Sequence, residues 1–419
     1  MMIGIGLPPA EIYIGGMKFT PGRIAIVLLI VPAFVRFFQG QRRIVAADLF
    51  ACALSAWIVL ATTAGKGSLD SSAFAVVLEF FGSYLIARAY FFGPTALKTL
   101  VGAFEATVVA LVLIGTIDTI SGRNIVYDTV SQSFGTGGHF VPQYRFGIVR
   151  SLSTFQHSIL FGSFCSVMMA ILLYVESGFR RVFFVGFSFV GTLLSIASAA
   201  LLASALVAIS FCYDRLLKNY SWRWTACWLG AATLFAMLSI VSDNPVKWVI
   251  LHMTLDPDSG YTRLVIWNSA FDVIPQSPLI GFGFSEIDMD VIDHTIDCVW
   301  LVTMLRFGIP ALIFLILLNA TALPRSVATF ADDPFMGNMR IGLILMLACF
   351  MCIGITVHFW LNLWEFWGFC IGVSASVKEY HLRGASAADY SQSRSHILSI
   401  ANTRRQSRSL VQRQYPRKI

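Results

Sequence analysis

Residues 182–213 read VFFVGFSFVGTLLSIASAALLASALVAISFCY, with no Asp, Glu, Lys or Arg anywhere in the run. A bilayer is crossed by roughly 20 helical residues, so this stretch is too long for one crossing. The small polar cluster Ser195–Ser198 is the natural break, which gives two short helices in place of one. Further apolar runs lie at roughly 22–38, 46–63, 72–92, 99–118, 158–175, 224–242, 299–318, 341–356 and 361–377. The stretch 341–377 divides near His358 by the same argument of length.

The 419-residue chain is 57% hydrophobic and 13% charged, with a mean hydropathy of +0.73. Soluble chains carry about 25% charge, and too little polar surface remains here to cover several large soluble cores. The fold class expected is an all-α polytopic membrane protein with about 11–12 transmembrane helices. Residues 1–377 form the membrane domain, with large external loops at about 119–157 and 243–298, the latter carrying short amphipathic helices. The cysteines all lie in or beside apolar runs, where they read as small buried hydrophobes and make no disulfide framework.

Basic residues set the orientation. The tail 378–419 carries Lys378, Arg383, Arg394, Arg404, Arg405, Arg408, Arg413, Arg417 and Lys418 against Glu379 and Asp389, so it is expected to stay cytoplasmic and unstructured. Counting back, Arg42/Arg43, Arg180/Arg181, Arg215/Lys218/Arg223 and Arg325/Arg340 fall on the same side, and the acidic loop 243–298 on the other. The loop 119–157, with Arg123, Arg145 and Arg150, also falls outside against the charge bias, so these arginines want another explanation. An odd number of spans leaves Met1 outside with Lys18 and Arg23, and MMIGIGLPPAEIYIGG resembles the end of an earlier helix. The expectation is a start further upstream, or a degenerate first helix. Glu79, Arg88 and Glu105 lie within or at the ends of spans, where charges pair between helices or line a path.

The polar island 256–308 holds the densest set of ionisable groups. Leu264, Trp267, Phe271 and Ile274 repeat at helical spacing, with Arg263 expected in the first turn, where a cation beside free N–H groups makes an anion site. Pro275, Pro278, Gly281 and Gly283 then force a turn. Glu286, Asp288, Asp290 and Asp293 surround His294, which is expected to open the next span. If the helix already runs through them, Asp290 and Asp297 lie within one turn of His294. A carboxylate on one ring nitrogen leaves the other as a base. Oxygen ligands of this kind also suit Mg²⁺ or Ca²⁺, but the spacing fits no familiar metal loop, and neither metal nor cofactor is expected. Arg145 and Arg150 face the same compartment, and guanidiniums beside a bilayer suit a lipid-linked diphosphate.

TRLVIWNSAF (262–271), SPLIGFGFSE (277–286), DHTIDCVWLVTMLRFGIPALIF (293–314) and RFGIVRSLSTFQHSILFG (145–162) resemble the shared region of bacterial O-antigen ligases and O-antigen or exopolysaccharide polymerases. The likeness covers about 145–318. It implies a glycosyltransferase of the inner membrane that takes a glycan from undecaprenyl diphosphate at the periplasmic face and transfers it to a saccharide or a lipid A-core acceptor. It also implies membrane lipid and other polysaccharide assembly proteins as partners, and no nucleic acid. Carried over, His294 activates the acceptor hydroxyl, while Arg263 and Arg150, with Arg145 as runner-up, hold the diphosphate. The chain departs from the pattern at Thr295, where the family often has Asn, and at SIASAALLAS (195–204), where it often has a Ser-Arg pair. The rival reading is a transporter or flippase of lipid-linked glycan. That calls for an inverted repeat or charges along a central path, and the halves show no repeat.

Overall fold

The computed structural model describes residues 4, 6–7, 12–14, 17–40, 42–68, 70–134, 142–220, 222–242, 248, 257–285, 287, 296–324 and 333–384. A short antiparallel hairpin, β1 (Ile12–Ile14) with β2 (Met17–Phe19), leads into the first helix. The helices before the first long loop are α1 (Pro21–Gln39), α2 (Ala46–Lys66), α3 (Ser71–Tyr90, with a π turn at Leu78–Gly82), α4 (Pro94–Ser121) and α5 (Ile125–Phe134). A second hairpin pairs β3 (Tyr144–Arg145) with β4 (Ile148–Val149). Next come α6 (Ser158–Val175), α7 (Gly178–Ser195), α8 (Ser198–Leu216), α9 (Arg223–Val241), α10 (Pro257–Val273), α11 (Val299–Ala322), α12 (Pro334–Ile353) and α13 (362–384).

Each apolar run in the sequence is one of these helices. Among the described residues nine helices are long and apolar enough to cross a membrane, so the chain is an all-α, multi-pass membrane protein. The run 182–213 does break where expected, with α7 ending at Ser195 and α8 beginning at Ser198. The division near His358 is also present, as a non-helical stretch at 354–361 between α12 and α13. Helix α13 continues seven residues past the expected boundary at 377, with Glu379 and His381 buried.

Helix α6 is the central post. Nearly all of it is buried, and α7, α8 and α12 pack around it. The other deep element is α13, whose Gly368 and Gly372 meet α3 backbone to backbone. A Cβ on Gly368 would stand 2.5 Å from the Phe80 carbonyl oxygen, and one on Gly372 2.4 Å from that of Tyr84. Small residues four apart are a common means of close approach between helices in lipid.

Several buried charges are paired, although both carboxylate oxygens of Glu365, buried on α13, have no hydrogen-bond partner among the described residues. Arg88, fully buried on α3, binds Asp48 of α2 through Nε at 2.7 Å and Glu379 of α13 through Nη1 at 2.9 Å. It also donates to the Arg43 carbonyl at 3.0 Å, and Arg42 reaches Glu379 at 2.8 Å. Glu79 pairs with Arg23 at 2.6 Å and Glu105 with Arg180 at 2.6 Å. The intramembrane ionisable groups singled out in the sequence are therefore clamps between helices.

Helix α11 is interrupted two turns from its start. Gly308 has φ 79° and ψ 174°, two residues before Pro310. Backbone freed at bilayer depth has to find partners within the protein. The turn 277–283 supplies them. Phe282 N donates to Leu305 O at 2.7 Å, Gly283 N to Arg306 O at 2.8 Å, and Ile309 N to Pro278 O at 2.8 Å. Two motifs quoted from the sequence, SPLIGFG and RFGIP, are thus one structural unit.

Helix α10 corrects the reading of the polar island. It begins at Pro257, so Arg263 sits in its second turn and not its first. The free N–H groups of the first turn therefore do not make Arg263 part of an anion site at this helix start. The buried face of α10 and the turn after it is Arg263, Leu264, Ala270, Val273 and Ile274, while Phe271 is exposed. Helix α11 begins at Val299, and Ile296–Cys298 are non-helical. Asp297 is therefore not on a helical face shared with His294. His294, Asp290 and the other acids of the cluster lie outside the described residues.

The α11 break gives a test. In Gly308→Ala a Cβ would lie 1.8 Å from the Leu279 carbonyl oxygen at a backbone angle that disfavours side chains. The variant should lose about 3 kcal/mol or more of stability, read as a much lower thermal midpoint in detergent. Gly186→Ala, where nothing lies within 4 Å of the new Cβ, should unfold like the parent.

Candidate functional site: a cationic cavity at one end of the helix bundle

The site is built on the break between α7 and α8. Ile196 adopts a left-handed conformation (φ 45°, ψ 40°), and Ala197 returns to an extended one before α8 starts. The last carbonyls of α7 are left without intrahelical partners. The segment after the second hairpin satisfies them. Ser151 N donates to Leu194 O at 3.0 Å, Arg150 Nε to Ser195 O at 3.2 Å, and Arg145 Nη1 to Ile196 O at 3.1 Å. Two cations at a helix C-terminus also meet the negative end of its dipole.

The hairpin aims these arginines. Phe146 and Gly147 both have positive φ, 53° and 75°, as the tight turns that suit strand twist require. Arg150 continues the ladder through N to Gln143 O at 2.8 Å, and its Nη1 binds Gln143 Oε1 at 3.0 Å. Asp118, buried near the end of α4, anchors the backbone just past Arg150. It accepts from Ser153 N at 2.9 Å, Ile125 N at 3.1 Å and Ser151 Oγ at 3.3 Å.

These pieces close a cavity of about 300 Å³. Arg145, Arg150, His157, Arg263, Asp297 and Trp360 are on its wall, with the first residues of α8. Three arginines and one of the two carboxylates proposed from sequence thus meet in one space, although about 110 residues separate Arg150 from Arg263. Arg150 and Arg263 are buried, and Asp297 is half-buried. Burial, then the charges of Arg145 and Arg263, pulls the Arg150 guanidinium down to about 10, so it stays protonated at neutral pH. Burial raises the Asp297 carboxyl above its ordinary range, and Arg263 partly offsets this. Such a wall favours an anion with several oxygens, since guanidinium forks bind these bidentately.

His157 and Trp360 were not singled out in the sequence. His157 stands inside the quoted motif FQHSILFG, just before an apolar run, and such a position signals an N-cap. Trp360 comes from the irregular stretch between α12 and α13, and nothing local marks it. Trp360 also lines a second cavity of about 180 Å³, with Arg23, Glu79, Arg306, His358 and Trp364. Among the described residues no group of three His, Cys, Asp or Glu side chains is placed to hold a metal ion.

The fold and site define a multi-pass helical membrane protein with a cationic cavity at one end of its bundle. No family model and no curated protein matches the chain.

Asp118 can be tested as the anchor. Asp118→Ala removes three hydrogen bonds to a carboxylate, and the loss should be about 2 kcal/mol or more in unfolding free energy. Amide exchange at Ser153 and Ile125, whose N–H groups lose their acceptor, should accelerate relative to the core amides of α6.

Proposed function

We propose that this chain is a glycosyltransferase that moves a glycan from an undecaprenyl-diphosphate donor to a sugar hydroxyl at the periplasmic face of the inner membrane. The single observation that carries the reading is the convergence of Arg145, Arg150 and Arg263 on one cavity. The motif resemblance supports it independently. The acceptor is the growing polysaccharide of a polymerase or the lipid A-core of a ligase.

Sidedness in this proposal follows from charge. Arg42, Arg43, Arg180, Arg181, Arg215 and Lys218 belong to the end of the bundle opposite the cavity. Basic loops stay in the cytoplasm, which leaves the cavity facing the periplasm and the C-terminal tail inside.

The reaction is a displacement at the anomeric carbon. The bond from C1 to the diphosphate oxygen breaks, and one from C1 to the acceptor oxygen forms. The hydroxyl proton passes to His294, with Asp290 or Asp297 as the group that orients the ring. Undecaprenyl diphosphate leaves with the bonding electrons, and Arg150 and Arg263, with Arg145 beside them, stabilise the charge that grows on it. These guanidiniums are held in place before the reaction by the α7–α8 junction and by α10, so little reorganisation is needed.

Purified protein supplied with lipid-linked donor and acceptor should form a new glycosidic bond, which a flippase would not do. His294→Ala should insert normally and form no product. Arg263→Lys keeps the charge but loses the fork, and its rate should fall about 10²-fold. Full activity in Arg263→Lys would remove the guanidinium fork from the mechanism, and product from His294→Ala would remove the base assignment.

A further inference from the structure

His157 occupies the N-cap of α6, and its Nδ1 accepts the Ile159 N–H at 3.1 Å. That bond fixes the tautomer. Nδ1 must present its lone pair, so the one ring proton resides on Nε2. The imidazolium form would set an N–H against an N–H, at the positive end of a helix dipole. Burial and the neighbouring Arg150 charge act in the same direction and bring the ring down to about 4. The ring lines the cationic cavity and meets Trp360 edge-on, with centroids 6.3 Å apart. Among the described residues Nε2 has no hydrogen-bond partner within the protein.

We propose that His157 is a further ligand of the donor diphosphate, a neutral imidazole that gives its Nε2–H to a phosphate oxygen in the cavity. The inference rests on the glycosyltransferase reading and deepens it. Three guanidiniums around one space repel one another before the anion arrives. A neutral donor adds a hydrogen bond without adding to that repulsion. A neutral, helix-capping imidazole that acts as a donor is a known catalytic device, and its physics is the same here. The assignment also excludes His157 as the base. Its Nε2 already holds a proton and its Nδ1 lone pair is engaged, so the acceptor hydroxyl must deliver its proton to the segment around His294 and Asp297.

The test uses the full chain in lipid nanodiscs with undecaprenyl diphosphate as the probe. Ser caps helices well but is too short to replace the ring, so His157→Ser removes the donor and keeps α6. Its affinity should fall about 10-fold or more, as expected when a hydrogen bond to a charged group is lost, with the unliganded thermal midpoint unchanged. His157→Asp also caps α6, but places a carboxylate against Arg150 and should bind more weakly still. In ¹⁵N-histidine protein the Nε2 resonance of His157 should be of the protonated type and should move on binding, which a purely structural cap would not produce. Wild-type affinity in both variants, or an unmoved Nε2 resonance, would overturn the assignment and leave the transferase reading intact. Failure of the wild type itself to bind undecaprenyl diphosphate would overturn both.

Discussion

A backbone N–H or C=O inside a bilayer has no water to turn to, so it must be bonded within the protein. The described helices break this continuity at three places on one end of the bundle: between α7 and α8, within α11, and between α12 and α13. At the first, Arg145 and Arg150 repair the loss by docking on the carbonyls of Ser195 and Ile196. At the second, the turn 277–283 repairs it through Phe282, Gly283 and Pro278. Repair and site are the same structure. The groups that satisfy the first break bring two cations to the cavity, and the turn that satisfies the second holds α10, and with it Arg263, against α11.

The two ends of the bundle treat charge differently. At the end away from the cavity, Arg88 is surrounded by Asp48, Glu379, Ser376 and the Arg43 carbonyl. A buried ion set of that kind holds helices in register, and loss of one member leaves an uncompensated charge. At the cavity, three guanidiniums and one half-buried carboxylate stand among the described residues, and Arg150 is depressed by burial and by its cationic neighbours. Guanidiniums kept rigid in a low-dielectric wall suit the proposed anion, which would grow more negative during the reaction. The role proposed for His157 fits the same logic, since its neutral ring would contribute a proton for bonding and no further positive charge.

Asp118 shows how far the support of the site extends. It touches neither a proposed substrate nor the cavity wall, yet it fixes the backbone just after Arg150 through Ser151 and Ser153. Ser153 itself has φ 53° and ties back to Leu111 O. A hydrogen-bonded carboxylate at the end of a long helix thus sets the direction of a guanidinium several residues away.

Much of the architecture was legible in the sequence, because membrane helices are written as apolar length. The division at Ser195–Ser198 and that near His358 followed from counting residues against bilayer thickness. That charges within the spans pair between helices followed from the cost of a lone charge in lipid, whereas the partners of Arg88, Asp48 and Glu379, came only from the packing. The start of α10 was missed, although a proline at the first helical position marks it at Pro257. The apolar spacing begins only at Leu264, and it drew the helix start towards itself, so Arg263 was placed one turn too early. The tertiary structure alone decided that Arg145, Arg150 and Arg263 share a space, that SPLIGFG closes the break in α11, and that His157 and Trp360 belong to the same wall. Those are contacts between segments up to some 200 residues apart. Hydrogen-bond demand at a helix break is a local property of a sequence, but which distant group meets it depends on how the helices pack.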